Sequence, residues 1–254
     1  IVYFLWMIFK HKEKFKPYIT GFNFRKVEKK ITKKLYGLGF PSAMQMFFEV
    51  AIFTAAIWLS GILGKNPQAA NQIALNLSSM TFMVAMGLSV TAMIRVGNQK
   101  GLNDFVSLRR IAFSIFFLTF LIEIIFASFF LVFRDWLPTL YLDQNTLVNI
   151  NDNKEVIIIA SKLLLVAAFF QIFDGLQVAI LGALRGLQDV KIPAFITFVS
   201  YWIIGFPVSY YLGLHTSLES IGIWIGLFTG LFAASILLYL RFNYLTKKLI
   251  SSKP

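Results

Sequence analysis

Two acidic residues, Glu49 and Asp174, lie deep inside long apolar stretches. A carboxylate at the centre of a bilayer costs about 2.5–3.5 kcal/mol, so such residues usually face a partner or a water-filled cavity and are treated as functional. If both side chains face one cavity, they could share a proton or bind a small hard cation, because desolvation favours the protonated acid and oxygen ligands suit sodium. We therefore predict Glu49 and Asp174 as cation-coupling residues and candidate Na⁺ ligands. The residue types leave Na⁺ and H⁺ both open.

Further polar residues lie in neighbouring apolar stretches. Glu123 lies in a Phe- and Ile-rich stretch and is interpreted as structural or lipid-adjacent, and Lys162 lies near the end of a stretch, where its long side chain can reach the interface. Amides and hydroxyls of another stretch could coordinate a cation or a substrate, or could simply join helices by hydrogen bonds. These residues are Gln72, Asn76, Ser78 and Ser79. We add Gln72 and Asn76 to the predicted cation and substrate site.

The composition excludes several other chemistries. The 254 residues contain no Cys and two His, so thiolate nucleophiles, disulfides and zinc sites are not expected. No HExxH or Ser-His arrangement is present, and we predict neither an enzyme nor a cofactor beyond the coupling ion. The net charge of +12 comes mostly from basic residues between apolar stretches. Membrane topology explains this charge better than a nucleic-acid partner does.

Six apolar stretches must position these residues. The chain is 57% hydrophobic and only 14% charged, and its apolar residues occur in blocks long enough to cross a hydrocarbon layer of about 30 Å as helices. The blocks are approximately 38–63, 69–96, 111–133, 156–183, 193–214 and 221–240. We predict an all-α polytopic membrane protein whose six-helix transmembrane bundle spans residues 38–241, with membrane lipid as a partner.

The remaining segments are assigned by length and charge. Residues 1–9 are too short to span and are expected to be the end of a preceding transmembrane helix, so that the natural protein would be longer. Residues 10–37 form a basic linker and 242–254 a tail. Most of the 24 Lys and Arg fall on one side of the alternating segments, and only Lys65, Arg134 and Lys154 fall on the other. The positive-inside rule then places the linker and the C-terminus in the cytoplasm, in a bacterial inner membrane.

Proline and glycine mark bends and close helix contacts. Pro41 and Pro207 fall in or near helices, where the missing amide hydrogen can kink the backbone, and they are candidate hinges. Two runs follow the small-xxx-small spacing that lets membrane helices pack closely. These runs are Gly222, Gly226 and Gly230 in the last stretch, and Gly182 and Gly186 where the fourth stretch ends.

Several short motifs occur in a recognisable order over about residues 35–245. They are Gly39-Phe40-Pro41 leading to Phe48-Glu49, Asn71-Gln72-Ile73-Ala74, Gly87-Leu88 with Arg95-Val96-Gly97, Phe173-Asp174-Gly175, Gly182-Ala183-Leu184-Arg185-Gly186 with Asp189, Tyr201-Trp202 with Gly205-Phe206-Pro207, and Gly222-Ile223-Trp224-Ile225-Gly226. In this combination the chain resembles the multidrug and toxic compound extrusion (MATE) family.

The resemblance implies one lobe of a twelve-helix exporter. Such a protein has two six-helix lobes around a central cavity, and this chain would hold helices seven to twelve. By the same resemblance, Glu49 corresponds to the acid of helix seven and Asp174 to the acid of helix ten, which family members use for Na⁺ or H⁺ coupling and for binding organic cations. The implied function is antiport that exports amphipathic, often cationic, drugs. The implied partners are those small molecules and the missing N-terminal lobe.

Two other functions stay open. A lipid-linked precursor flippase of the same wider superfamily would need a basic cavity for phosphates, and the acids at membrane depth argue against it. A non-transporting membrane scaffold or an intramembrane enzyme is the remaining alternative, although no catalytic constellation supports an enzyme.

Overall fold

The computed structural model describes Trp6, Lys10 and residues 28–142 and 150–252. The chain divides into two compact units, Ile1–Phe40 and Pro41–Pro254. In the first unit, the ammonium group of Lys10 lies 4.5 Å from the centroid of the Trp6 ring. Apart from these two residues, the predictions for 1–9 and for 10–27 of the linker lie outside the described residues, as do those for 143–149 and the last two residues of the tail. The first helix begins in the first unit, and the contacts between helices described below are those of the second unit.

The described residues are helical, with no strand among them, which confirms the predicted all-α class. The helices are α1 (Lys29–Leu63), α2 (Lys65–Gly101), α3 (Phe105–Phe133), a short 3₁₀ helix (Leu137–Leu140), α4 (Ile150–Gly186), α5 (Lys191–Phe198), a π-helix (Val199–Gly205), α6 (Phe206–Leu214) and α7 (Glu219–Ser251). Together α5, the π-helix and α6 form one continuous span, Lys191–Leu214. By length and composition, six of the described helical spans can cross a membrane.

The helices extend beyond the predicted apolar stretches. The first begins at Lys29, within the segment predicted as linker, and the last ends at Ser251, within the predicted tail. Helical hydrogen bonds join backbone groups four residues apart and do not require apolar side chains, and Lys and Leu are good helix formers. Hydropathy therefore marks the membrane-embedded part of each helix rather than the ends of the helix.

Polar contacts show that α2 and α4 run parallel. At one end, here called the Lys65 end, the ammonium group of Lys65 lies 2.6 Å from Oδ2 of Asp152. At the opposite end, here called the Lys100 end, the Lys100 ammonium group donates to the carbonyl oxygen of Leu187 at 2.5 Å. Since each contact joins matching ends of the two helices, α2 and α4 start and finish together.

The start of α3 and the end of α7 also lie at the Lys100 end. The Arg109 guanidinium of α3 donates to Oδ1 of Asn243 at 2.5 Å. On α7, Arg241 forms an ion pair with Asp189 at 2.8 Å, just after α4 ends. Each of these helices therefore runs opposite in direction to its neighbour in the chain, as expected for successive membrane crossings.

Glycines allow the closest helix contacts. A Cβ at Gly182 would collide with the carbonyl oxygen of Ser89 on α2 and lie 2.6 Å from its hydroxyl oxygen. On α7, a Cβ at Gly226 would collide with the backbone of Ser209, and one at Gly230 would lie 3.1 Å from Cα of Gly205. The structure thus confirms the packing predicted from both glycine runs.

The two predicted hinge prolines occupy different settings. Pro41 lies inside α1, which continues as a helix on both sides of it. Pro207 is the second residue of α6, just after the end of the π-helix and inside the continuous span Lys191–Leu214. A hinge role for either proline stays a prediction.

A buried hydrogen bond joins α2 to α7. The indole nitrogen of Trp224 donates to Oδ1 of Asn71 at 2.9 Å, and both side chains are fully buried. Trp224→Phe keeps a ring at this position but leaves the Asn71 oxygen without its donor, so we expect a loss of about 1–3 kcal/mol in the free energy of unfolding. Thermal unfolding of the full-length protein in detergent measures the effect. The control Trp58→Phe alters an indole that is 78% exposed and should leave the midpoint unchanged. Equal midpoints for the two variants would contradict the prediction.

Candidate functional site

A cavity of about 440 Å³ opens between α1, α2 and α4. Aromatic and methionine side chains form much of its wall, including Phe53, Phe82, Met86 and Phe170. Polar side chains interrupt this apolar wall in a few places. They are Glu49, Gln72, Asn76, Ser78, Ser79, Asp174 and Arg185.

All four residues predicted for the cation and substrate site line this cavity. Glu49 comes from α1, Gln72 and Asn76 from α2, and Asp174 from α4. On each helix the lining residues recur three or four positions apart, as on one face of an α-helix. The structure therefore brings the predicted residues together, whereas their role in coupling stays a prediction. The two candidate hinges, Pro41 and Pro207, do not line the cavity.

Glu49 is half-buried at the cavity wall, next to a point where α1 contacts the fifth span. The carbonyl oxygen of Phe48 accepts a hydrogen bond from the indole nitrogen of Trp202 at 3.3 Å. The ring of Phe48 packs against that of Phe198, with the ring centroids 4.9 Å apart. These contacts hold the backbone beside Glu49 and so fix the point from which its carboxylate enters the cavity.

Asp174 is more deeply buried, with 6% of its surface exposed. Its Oδ1 is buried and has no hydrogen-bond partner among the described residues. About one turn earlier on α4, Oε1 of Gln171 accepts a hydrogen bond from the Thr81 hydroxyl of α2 at 3.0 Å. This bond holds α4 against α2 near Asp174. The orphaned oxygen of Asp174 is suited to a proton or a cation, because an unpaired buried carboxylate is costly.

Arg185 is a cavity residue that we did not predict. It is half-buried, donates to Oε1 of Gln45 at 3.1 Å, and interacts electrostatically with Glu49. In the sequence it was counted as a topology charge and quoted as part of a motif, but it was not assigned to the site, because the predicted stretch ended at residue 183, whereas α4 continues to Gly186. Its spacing from Asp174 was the available signal, since eleven residues are about three helical turns and place both side chains on one face.

Tyr201 is a second residue that we did not predict to lie near the two acids. It lies in the π-helix with 2% of its surface exposed, and its hydroxyl has no hydrogen-bond partner among the described residues. It interacts electrostatically with both Glu49 and Asp174. In the sequence it was noted only as part of a motif, because an apolar stretch containing a tyrosine does not reveal which helix it faces.

Two other ionisable residues were interpreted from their neighbours. Glu123 was interpreted as structural or lipid-adjacent, and its exposure of 1% excludes the lipid-adjacent alternative, because its carboxylate packs against α4 rather than facing outward. A Phe- and Ile-rich stretch gave no indication of the buried face. Lys162 is exposed near the Lys65 end of α4, where its ammonium group can reach the interface.

The cavity combines acidic, amide and aromatic groups. If ionised, Glu49 and Asp174 outweigh the single positive charge of Arg185, so the site has a net negative charge. Carboxylate and amide oxygens can bind a hard cation, and aromatic faces can accept an organic cation. Among the described residues, no group of three or more His, Cys, Asp or Glu could hold a metal ion. A cation site in this cavity would have at most the two carboxylates of Glu49 and Asp174 as acidic ligands, so amide or hydroxyl oxygens would have to complete it.

Comparison with known proteins finds relatives that are similar to this chain in sequence. The chain is 40% identical over 222 residues to "Multidrug resistance protein MdtK" of Yersinia pseudotuberculosis serotype O:1b, an alignment that covers 86% of the chain and 47% of the relative. The chain thus spans about half the length of the curated relatives it matches.

Solved structures show the same fold. The eukaryotic MATE transporter AtDTX14 matches with a TM-score of 0.74 and 23% identity, over 85% of this chain and 48% of that one. A MATE structure in the bent conformation matches with a TM-score of 0.79 and 15% identity, over 92% and 49%. The MatE family profile matches residues 41–211, two thirds of the chain, including α2–α4, most of α1 and nearly all of the fifth span. The predicted resemblance is therefore confirmed, and the chain belongs to the MatE family.

Proposed function

We propose that the full-length protein is a cation-coupled multidrug exporter and that this chain forms its second six-helix lobe. The observation that carries the proposal is the placement of Glu49 and Asp174, from two different helices, in one cavity with aromatic walls. The relative named as a multidrug resistance protein supports the same substrate class. The half-length match to such proteins supports a first lobe as the partner that completes the cavity.

The chemistry of the cavity suits competition between two cations. An amphipathic organic cation can place its apolar part against Phe53, Phe82 and Phe170 and its charge near Glu49 or Asp174. A sodium ion or a proton that occupies the same carboxylates cancels the charge that holds the substrate. Inward movement of the coupling ion then drives substrate release on the other side, as the two lobes alternate between two orientations.

The distribution of basic residues supports a membrane orientation for this exporter. We place the Lys100 end at the cytoplasmic side of a bacterial inner membrane, because most Lys and Arg of the connecting segments cluster there. The C-terminus and the linker are then cytoplasmic. Attachment of a membrane-impermeant reagent to the variants Leu102→Cys and Asn66→Cys would measure this orientation, since this chain contains no Cys.

The flippase alternative fits the cavity less well. A phosphate-bearing lipid precursor needs net positive charge where its phosphates bind. Arg185 is the one basic residue among the lining side chains, and two acids oppose it. Within the described lobe, the charge balance therefore favours a cationic cargo.

Reconstitution of the full-length protein tests the proposal. Proteoliposomes loaded with a fluorescent cationic dye are given an inward sodium gradient, an inward proton gradient, or no gradient. We expect dye efflux with at least one gradient and little without any, and the effective gradient identifies the coupling ion. Liposomes without protein control for leakage. Equal efflux under all three conditions would exclude cation coupling, whereas transfer of a phosphate-bearing lipid without dye efflux would favour the flippase.

A further inference from the structure

An arginine joins the start of α3 to the end of α7 without an acidic partner. Arg109 of α3 is half-buried, and its guanidinium donates to Oδ1 of Asn243 at 2.5 Å and to the hydroxyl of Thr246 at 2.9 Å. Both acceptors are neutral groups of α7. None of the ion pairs in the described part of the chain includes Arg109. These bonds use two of the five N–H donors of a guanidinium, so a positive charge with further donors is held at this junction.

The guanidinium is also held from the side that leads toward the middle of the helices. Cζ of Arg109 lies 5.0 Å from the centroid of the Phe113 ring, one turn further along α3. The Phe113 ring packs in turn against the rings of Tyr239 and Phe242 on α7, at centroid distances of 6.0 and 6.3 Å. Because both helices fix the guanidinium, it loses little conformational freedom when it binds a further group.

Two more basic side chains lie at the same junction. Lys247 lies one turn beyond Asn243 on the same face of α7, since helix residues four apart are neighbours, with Cβ atoms about 5–6 Å apart. Arg110 directly follows Arg109 on α3. The side chains of Arg110 and Lys247 are exposed, and neither forms an ion pair with a described residue. Three positive charges therefore meet at what we call the α3–α7 junction, defined by Arg109, Arg110 and Lys247.

Membrane topology explains the number of basic residues at the Lys100 end but not this arrangement. The positive-inside rule requires charge, and solvated side chains supply it. Arg241 shows a different arrangement at the same end, because its ion pair with Asp189 at 2.8 Å neutralises it within the lobe. At the α3–α7 junction, a fixed guanidinium lies beside two exposed cations, and no acid of the described residues pairs with any of them. The charge of the junction thus suits an anion from outside the lobe.

The surface next to the junction is apolar and exposed. On α3, Phe117 follows Phe113 by one turn, and on α7, Ile236 precedes Tyr239 by about one turn, and both Phe117 and Ile236 are exposed. Both helices are long and apolar enough to cross a membrane. Among the described residues that line the cavity, none comes from α3 or α7, so this surface lies away from the cavity. An anion bound at the junction could therefore carry an apolar tail along this surface.

We propose that the α3–α7 junction binds one anionic phospholipid. Its phosphate accepts hydrogen bonds from Arg109, Arg110 and Lys247, and its acyl chains lie along Phe117 and Ile236. A guanidinium matches two phosphate oxygens at once, and the ammonium group adds charge. A zwitterionic lipid brings its own cation, which three positive charges disfavour, so the junction selects a lipid with net negative charge. The lipid site belongs to this lobe and does not depend on the proposed transport function.

A tryptophan reporter beside the junction can measure this selectivity. In the full-length protein, Tyr239→Trp places an indole at an exposed position one turn from Asn243. Vesicles of phosphatidylcholine contain a small fraction of either phosphatidylglycerol or phosphatidylcholine with brominated acyl chains, which quench a nearby indole. We expect quenching that corresponds to an enrichment of phosphatidylglycerol at the reporter by on the order of tenfold. The protein that retains Tyr239 supplies the background from its other tryptophans.

Two matched double variants separate a site from general attraction. Arg110→Gln combined with Lys247→Gln removes two of the three charges of the junction and should abolish most of the enrichment. Arg95→Gln combined with Lys191→Gln removes two exposed charges from the same end of the lobe, but on α2 and α5, and should retain the enrichment. If the first double variant fails to fold, its two single variants are measured, and each should lose part of the enrichment.

Three results would overturn the proposal. An equal loss of enrichment in both double variants would show general attraction of an anionic membrane to the basic end. A reporter that neither brominated lipid quenches would show that another part of the full-length protein covers this surface. Relief of quenching by inorganic phosphate at constant ionic strength would show that the junction binds a free phosphate ion rather than a lipid. Enrichment lost only with Arg110 and Lys247 supports the lipid site.

Discussion

Asp174→Asn in the full-length protein is expected to reduce gradient-driven efflux of a cationic dye by on the order of tenfold or more. With both acids ionised, Glu49 and Asp174 outweigh Arg185 and leave the cavity with a net negative charge. The substitution retains the shape of the side chain but leaves one acid against one guanidinium, so the net attraction for a cation is lost. A tenfold loss of dye affinity corresponds to about 1.4 kcal/mol of binding free energy. This is a modest value for removing the charge of a residue that is 6% exposed.

Proteoliposome efflux and equilibrium dye binding measure this effect together. Asp135→Asn is the matched control, because it makes the same chemical change on a carboxylate whose side chain is 78% exposed beside Arg134. We expect wild-type efflux from the control and the same reduction in dye binding as in efflux for Asp174→Asn. Wild-type efflux from both Asp174→Asn and Glu49→Gln would show that the cation site lies elsewhere. Loss of efflux with unchanged dye binding would assign Asp174 to ion coupling alone.

Gly182→Ala is expected to destabilise the lobe by about 3 kcal/mol or more, at or beyond the upper end of the usual cost of overpacking. The added methyl group would collide with the carbonyl oxygen of Ser89, and that oxygen belongs to the backbone of α2. A flexible side chain could move aside, whereas a helix backbone moves only if the two helices separate. The Ser89 hydroxyl also donates to the carbonyl oxygen of Val178 at 2.7 Å, and separation would break this bond.

The amount of monodisperse full-length protein after extraction, and its thermal midpoint in detergent, measure this loss. Gly101→Ala is the control, because a Cβ at the end of α2 meets no other atom within 4 Å. Alanine also has a higher helix propensity than glycine, so the control should be as stable as wild type or slightly more stable. A Gly182→Ala protein with the wild-type midpoint would show that α2 and α4 can separate at little cost.

The membrane-spanning helices and the family were accessible from sequence because their signals are local or sequential. An apolar block can be compared with the bilayer thickness residue by residue, and a helix satisfies its own backbone hydrogen bonds, so its existence does not depend on its neighbours. Glu49 and Asp174 were identifiable for the same reason, since an acid inside such a block is costly wherever the helix packs. The glycine spacing likewise indicated close packing before any partner helix was known.

What the tertiary structure decided is which side chains meet. Sequence could not show that Glu49, Asp174 and Arg185 line one cavity, because that depends on how each helix is rotated against the others. The same uncertainty left the structural and lipid-adjacent interpretations of Glu123 both open, and packing decided between them, since the carboxyl group lies against Gly175 of another helix. By itself, then, the sequence determined the six crossings and two costly acids. Helix packing, which depends on contacts between residues far apart in the chain, determined the cavity and the burial of Glu123.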